Sequence, residues 1–153
     1  MTIETQKHKT AYQLNVIQLN INESITKKEV SDYIDELFET KECCVYVSLE
    51  AYSKELRGLG FKKYEDGYYL DNNKQSYIYM LRCVNGHLYT GWTNHLHKRI
   101  STHLSKGGAK YTKAFGPCEL VHYEIFETKQ EAMKREYEIK QYTKQEKEAL
   151  IHE

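Results

Sequence analysis

The chain has 153 residues, which suits one ordinary domain or two very small ones. Cations (Lys and Arg) and anions (Asp and Glu) number 22 each, so the total charge does not point to a partner of either sign. No apolar run reaches membrane-span length and no signal-peptide pattern opens the chain; Cys43, Cys44, Cys83 and Cys118 form no C-x-x-C pair, which argues against a zinc ribbon. The expectation is a reduced, cytoplasmic protein without a membrane partner.

In chain order, residues 1–10 are polar and are expected to fray. Tyr12, Leu14 and Val16 alternate with polar neighbours, the period of a strand. A helix is predicted from Thr26 to Glu39. Thr26 and Glu29 form a capping box, and Val30, Tyr33, Ile34, Leu37 and Phe38 make one apolar stripe. Cys43–Leu49 reads as a buried strand, Glu50–Leu59 as a short helix broken by Gly60, and Phe61–Leu70 as one or two strands. The five polar residues 71–75 are the candidate linker. Beyond them, Tyr77–Cys83 and His87–Gly91 form a hairpin whose Asn85-Gly86 pair suits a type I′ turn. Asn94 caps a helix from His95 to Leu104, which Gly107-Gly108 ends. Glu119–Phe126 is a third strand. Thr128 with Glu131, and Thr143 with Glu146, cap helices reaching Tyr142 and Ile151. The second half thus reads β-β-α-β-α-α.

Charge is unevenly spread. Residues 1–75 carry 10 cations and 13 anions, and residues 76–153 carry 12 and 9. No acidic residue stands between Asp71 and Glu119, a window holding Arg82, Lys98, Arg99, Lys106, Lys110 and Lys113 with His87, His95, His97 and His103. Such a stretch suits a phosphate-facing surface; the ordinary alternative is a solvated basic face.

Three groups of residues stand out. Taking about 100° per residue along the helix after Thr128, Glu136 falls within the sector of Ala132, Met133, Tyr137 and Ile139. A carboxylate there is costly unless it is paired, and a salt bridge is its ordinary explanation. Arg99 and His103 are four apart on one helix face, which is also what a plain surface pair looks like. Tyr79 and Tyr89 can share one face of the hairpin, although tyrosine is common in strands for packing alone.

Taken together, these residues resemble the GIY-YIG nucleases. Tyr77-Ile78-Tyr79 stands where the GIY triplet belongs and Tyr89-Thr90-Gly91 where YIG belongs. Downstream, Lys98-Arg99-Ile100 with His103, the segment Gly108-Ala109-Lys110-Tyr111-Thr112, and Arg135-Glu136-Tyr137 follow in the family's order. Tyr77 replaces Gly and Thr90 replaces Ile, as in the small stand-alone bacterial members. The UvrC-like members carry an Asn where this chain has Glu148, so no role passes to that residue.

The resemblance implies an α+β GIY-YIG fold, a small antiparallel three-stranded sheet flanked by helices, over residues 76–153, preceded by a small α+β accessory unit at residues 1–72. It also implies a metal-dependent DNA endonuclease with one Mg²⁺ or Mn²⁺ on Glu136. Arg99 would clamp the scissile phosphate, Tyr89 would orient or activate water, and Tyr79 and His103 would tune its proton. Lys98, Arg99, Lys106, Lys110 and Lys113 would bind the DNA. A repair or recombination setting follows from the same resemblance. Two further readings stand beside it: a nucleic-acid-binding module with weak or lost catalysis, and an adaptor whose first half recruits a partner. Residues 43–70, with the step Leu59-Gly60-Phe61, resemble the C-terminal end of GCN5-related acetyltransferases. The Gly-rich pyrophosphate loop of such enzymes is missing, which implies a non-catalytic remnant.

Overall fold

The computed structural model describes residues 3–21, 25–104 and 118–152. The chain divides into two compact units, one of residues 1–10 and 15–72 and the other of residues 11–14 and 73–153.

The first unit is a five-stranded sheet of order β1-β2-β3-β5-β4, built from β1 (Ile3–Lys9), β2 (Asn15–Ile21), β3 (Cys44–Ser48), β4 (Lys62–Tyr64) and β5 (Gly67–Asp71). Among these strands only β2 and β3 pair in parallel, and α1 (Lys27–Glu39) makes the crossover between them. The Thr26 hydroxyl accepts the Glu29 N–H at the head of α1, as the capping pattern requires. The predicted stripe is buried: Val30, Ile34 and Phe38 pack with Leu19, Val45, Val47 and Leu56, all of this same unit.

Three sequence expectations fail here. Residues 3–9 do not fray but pair along their whole length with β2. Four of these seven side chains in succession are exposed, so an edge strand of this kind has no apolar alternation to betray it. The second strand begins at Asn15, after a turn in which Gln13 takes φ 71°, and not at Tyr12. Within the predicted helix 50–59 only the 3₁₀ turn Lys54–Leu56 forms, since Gly58 and Gly60 both take positive φ, at 83° and 105°. Asn72, placed in the polar linker, is fully buried; its amide donates to the carbonyls of Phe38 and Glu42.

The second unit is a three-stranded antiparallel sheet of order β7-β6-β8, with β6 (Ser76–Cys83) central between β7 (Leu88–Thr93) and β8 (Cys118–Phe126). Residues 77–81 of β6 are wholly buried, and alternation sends them to two faces. On one face Ile78 and Met80 pack against Ala132, Ile139 and Leu150 of α3 (Lys129–Lys140) and α4 (Lys144–Ile151). On the other, Tyr79 meets α2 (Leu96–Leu104). Helices α3 and α4 start where their caps predict, with Thr128 and Thr143 accepting the N–H groups of Glu131 and Glu146. At the head of α2 the Thr93 hydroxyl accepts the His95 N–H, where the sequence pointed to Asn94. The predicted Gly107-Gly108 stop lies outside the described residues.

The hairpin is not type I′. Cys83 N–H donates to His87, Gly86 N–H donates to Cys83, and among Asn85 and Gly86 only Gly86 has positive φ, at 86°. This is the three-residue loop in which a turn ends in a left-handed glycine. The expected reduced state of all four cysteines also fails. Cys83 and Cys118 stand directly opposite across β6 and β8 and form a disulfide, a pairing set by strand register and invisible in their separation of 35. Cys43 and Cys44 are free and both buried, where the sequence favoured one of them pointing inward.

Candidate active site

A cleft of about 340 Å³ opens beside the edge strand β7, lined by Tyr79, Tyr89, Lys98, Arg99 and Glu136, together with Gly91, Trp92, Thr93, Asn94, His95 and Thr102. Three pieces of local structure build it. The hairpin register sets Tyr79 opposite Gly91, so the buried tyrosine crosses the bare backbone of β7. A Cβ added at Gly91 would stand 2.5 Å from the Tyr79 hydroxyl and 2.6 Å from its ring carbon Cζ. The glycine of the second triplet is therefore a space requirement of the first. Helix α2 supplies Lys98, Arg99 and Thr102 from its exposed side. Helix α3 supplies Glu136.

His103 does not line the cleft. It is buried behind Tyr79, whose hydroxyl lies 2.9 Å from its Nε2. The rings of Tyr79, Tyr89 and His103 form a triangle, with centroids 6.2 Å, 5.6 Å and 5.1 Å apart. Burial pushes the Tyr79 phenol well above its ordinary value and nearby Tyr89 adds to the rise, while the Arg99 charge opposes it. Burial, and then Arg99, lower the His103 pKa. The pair is therefore a neutral phenol against a neutral imidazole at pH 7, which suits Tyr79 as donor and Nε2 as acceptor.

Glu136 is the one carboxylate among the described residues that line the cleft. Its side chain is 20% exposed, and Lys140 stands 3.7 Å away, one turn along α3. The projection from sequence put it in the middle of the sector bounded by Ala132 and Ile139 on one side and Met133 and Tyr137 on the other. In the structure Met133 and Tyr137 are exposed, at 44% and 69%, and the buried side of α3 runs through Ala132 and Ile139. Glu136 thus stands at the rim of the packed face, as a group that reaches into a cleft must. Its neighbour Arg135 holds that face in place, giving Nε and Nη2 to the two oxygens of Glu124 at 3.0 Å and 3.2 Å and Nη1 to Tyr142 at 3.1 Å. Glu148 stands elsewhere, bound through both oxygens to Arg82 at 2.5 Å and 2.9 Å.

Among the described residues no three His, Cys, Asp or Glu side chains gather so as to hold an ion by themselves. One carboxylate in a roomy polar cleft instead suits a hard cation that keeps most of its water, the habit of Mg²⁺. Lys106, Lys110, Lys113 and the segment 108–112 lie outside the described residues. Sequence reasoning missed Trp92, Thr93, Asn94 and Thr102 as lining residues, and had named His95 only as part of the basic window. Only their place next to the YIG triplet and on the Arg99 face of α2 could have signalled them.

A tyrosine pair across a hairpin, an arginine from the following helix and a glutamate from a later one share this cleft, the arrangement expected of the GIY-YIG class. Residues 75–149 match the GIY-YIG catalytic domain, and the chain belongs to that family of endonucleases, whose substrates are nucleic acids. It is 53% identical over 76 residues to a UPF0213 protein of Clostridium perfringens, covering 50% of this chain and 82% of that one. A UPF0213 protein of Staphylococcus saprophyticus is 52% identical over 77 residues, 50% of this chain and 94% of that one. The solution NMR structure of a UPF0213 protein from Bacillus halodurans shares 44% identity over 51% of this chain and 83% of its own, with a TM-score of 0.36. No helix among the described residues is long and apolar enough to cross a membrane.

Proposed function

We propose that the protein is a metal-dependent DNA endonuclease acting in repair or recombination, with Tyr79, Tyr89, Arg99, His103 and Glu136 as its working residues. The observation that carries this reading is the meeting of Tyr79, Tyr89, Arg99 and Glu136, drawn from three separate parts of the sequence, on one cleft. Arg99, always charged, holds two non-bridging oxygens of the scissile phosphate. Tyr89, half-buried and facing the cleft, orients the attacking water, and in its phenolate form takes the water's proton to become the phenol. Tyr79 stays protonated, fixes Tyr89 by packing and anchors its own hydroxyl on His103. Glu136 holds one Mg²⁺ or Mn²⁺ through a single carboxylate. That ion, when bound, supplies charge neutralisation for the phosphorane and for the departing 3′ oxygen. Lys98 adds positive charge along the phosphate path, and Lys106, Lys110 and Lys113 belong to the same cationic set.

The test is cleavage of single-stranded, duplex and branched DNA with Mg²⁺ or Mn²⁺, against a chelated control. Ion-dependent cutting of any of the three supports the reading; no cutting of any of them with either ion, by folded protein, overturns it. One observation favours a second reading, a nucleic-acid-binding module with weak catalysis: the Lys140 ammonium already sits 3.7 Å from Glu136 and competes for its carboxylate. DNA binding without cleavage would select that module.

A further inference from the structure

A second cleft, of about 270 Å³, lies between the β6–β7 turn and the first turns of α4, lined by Asn85, Gly86, His87, Leu88, Lys144 and Lys147. Three of these six can carry positive charge, and none of the described residues lining the cleft is a carboxylate. Lys144 and Lys147 are three apart and share one face of α4. The Lys144 ammonium leans over the turn, 3.5 Å from where a Cβ on Gly86 would stand. Glu148, one helical turn beyond Lys144, gives both its oxygens to Arg82, a bridge that also ties α4 to β6 next to the turn. The result is a cationic recess on rigid elements, suited to a phosphate group.

Its position gives it a use. The turn cleft takes in Leu88, the first residue of β7, and the first cleft is lined along the same strand by Tyr89, Gly91, Trp92 and Thr93, so the recess flanks the turn end of the first cleft. Among the described strands β7 is an edge strand, with one long side unpaired within its sheet.

Resting on the nuclease reading above, we propose that this recess is a second phosphate-binding site. It grips the flank of the nucleic acid whose scissile phosphate is held at Arg99, so that the preferred substrate continues unbroken past the cut on the turn side.

Two measurements on the full chain test this. Duplex DNA is titrated into the isotope-labelled protein while backbone amide shifts are recorded. Binding of the same duplex is then measured over a range of salt for wild type and for the Lys144→Gln/Lys147→Gln variant, with the Trp92 emission spectrum confirming its fold. The expected result is movement of the Gly86, His87, Lys144 and Lys147 amides along with those of Trp92 and Arg99. The slope of log K against log salt should become shallower by about 0.9 in the variant, the value for one phosphate no longer neutralised. Shifts confined to Trp92 and Arg99 with an unchanged slope would overturn the second site and leave the nuclease reading standing. No shift at either cleft would overturn both.

Discussion

Gly91→Ala puts the packing between the two triplets to the test. The added methyl would start 2.5 Å from the Tyr79 hydroxyl and 2.6 Å from Cζ, well inside van der Waals range. The tyrosine has little room to yield, because it is fully buried and bonded to His103. Overpacking of this kind costs about 1–3 kcal/mol. If the ring is driven off His103, a buried hydrogen bond worth about another 1 kcal/mol goes with it. The expected destabilisation is therefore about 2–4 kcal/mol, a large share of the roughly 5–15 kcal/mol of an ordinary domain. Trp92 is the chain's single tryptophan and follows Gly91 in β7, so its fluorescence during urea unfolding reports this unit directly. Tyr79→Phe removes the 2.5 Å clash but leaves the 2.6 Å clash with Cζ, so the double variant should recover only part of the loss. The coupling in that cycle should exceed about 0.5 kcal/mol. Unfolding of Gly91→Ala within about 0.5 kcal/mol of wild type, the ordinary range for an inconsequential surface change, would refute the reasoning, as would strictly additive effects.

Other perturbations reach different parts of the site and fold. Glu136→Gln should abolish ion-dependent cleavage while DNA affinity stays nearly intact, with stability changing by less than about 1 kcal/mol because the Lys140 interaction is long and half-exposed; full activity would sink the assignment of Glu136 as ion ligand. Arg99→Lys should lower turnover on the order of 10²–10³-fold, the scale for losing one well-placed transition-state donor, and wild-type turnover would make Arg99 a mere surface cation. Reducing the Cys83–Cys118 bridge, whose ends are 35 residues apart, should lower stability by about 3–4 kcal/mol on the loop-entropy scale; the check is the shift in urea midpoint followed by Trp92, and an unmoved midpoint would contradict it. A fragment starting near Lys74 should fold and cut DNA, because the stripe of α1 is buried against residues of the first unit. The staphylococcal relative, matched over 94% of its length by 77 residues, has about the size of that fragment. Residues 11–14 group with the second unit, however, and Leu14 is fully buried, so loss of that side chain should cost about 1.5–3 kcal/mol. A soluble, cooperatively folding fragment that does not cut where the full chain does would refute self-sufficiency.

What the sequence determined by itself was whatever depends on near neighbours. Helix starts at Thr26, Thr128 and Thr143 were legible because a cap is an interaction across three residues. The hairpin and the family blocks were legible because the triplets and the Arg, His and Glu that follow stand in a fixed order. Only the tertiary structure decided matters in which the deciding partner is remote in sequence. The polar segment 3–9 is a strand because β2 offers it backbone hydrogen bonds, not because of any period of its own. Cys83 meets Cys118 because β6 and β8 pair in that register. Glu136 faces a cleft from the rim of α3 because Arg135 and Ile139, and not Met133 and Tyr137, were taken up by packing. The second glycine of the motif was readable as a letter, but its reason, the Tyr79 ring lying across its α-carbon, exists only once the two strands are side by side.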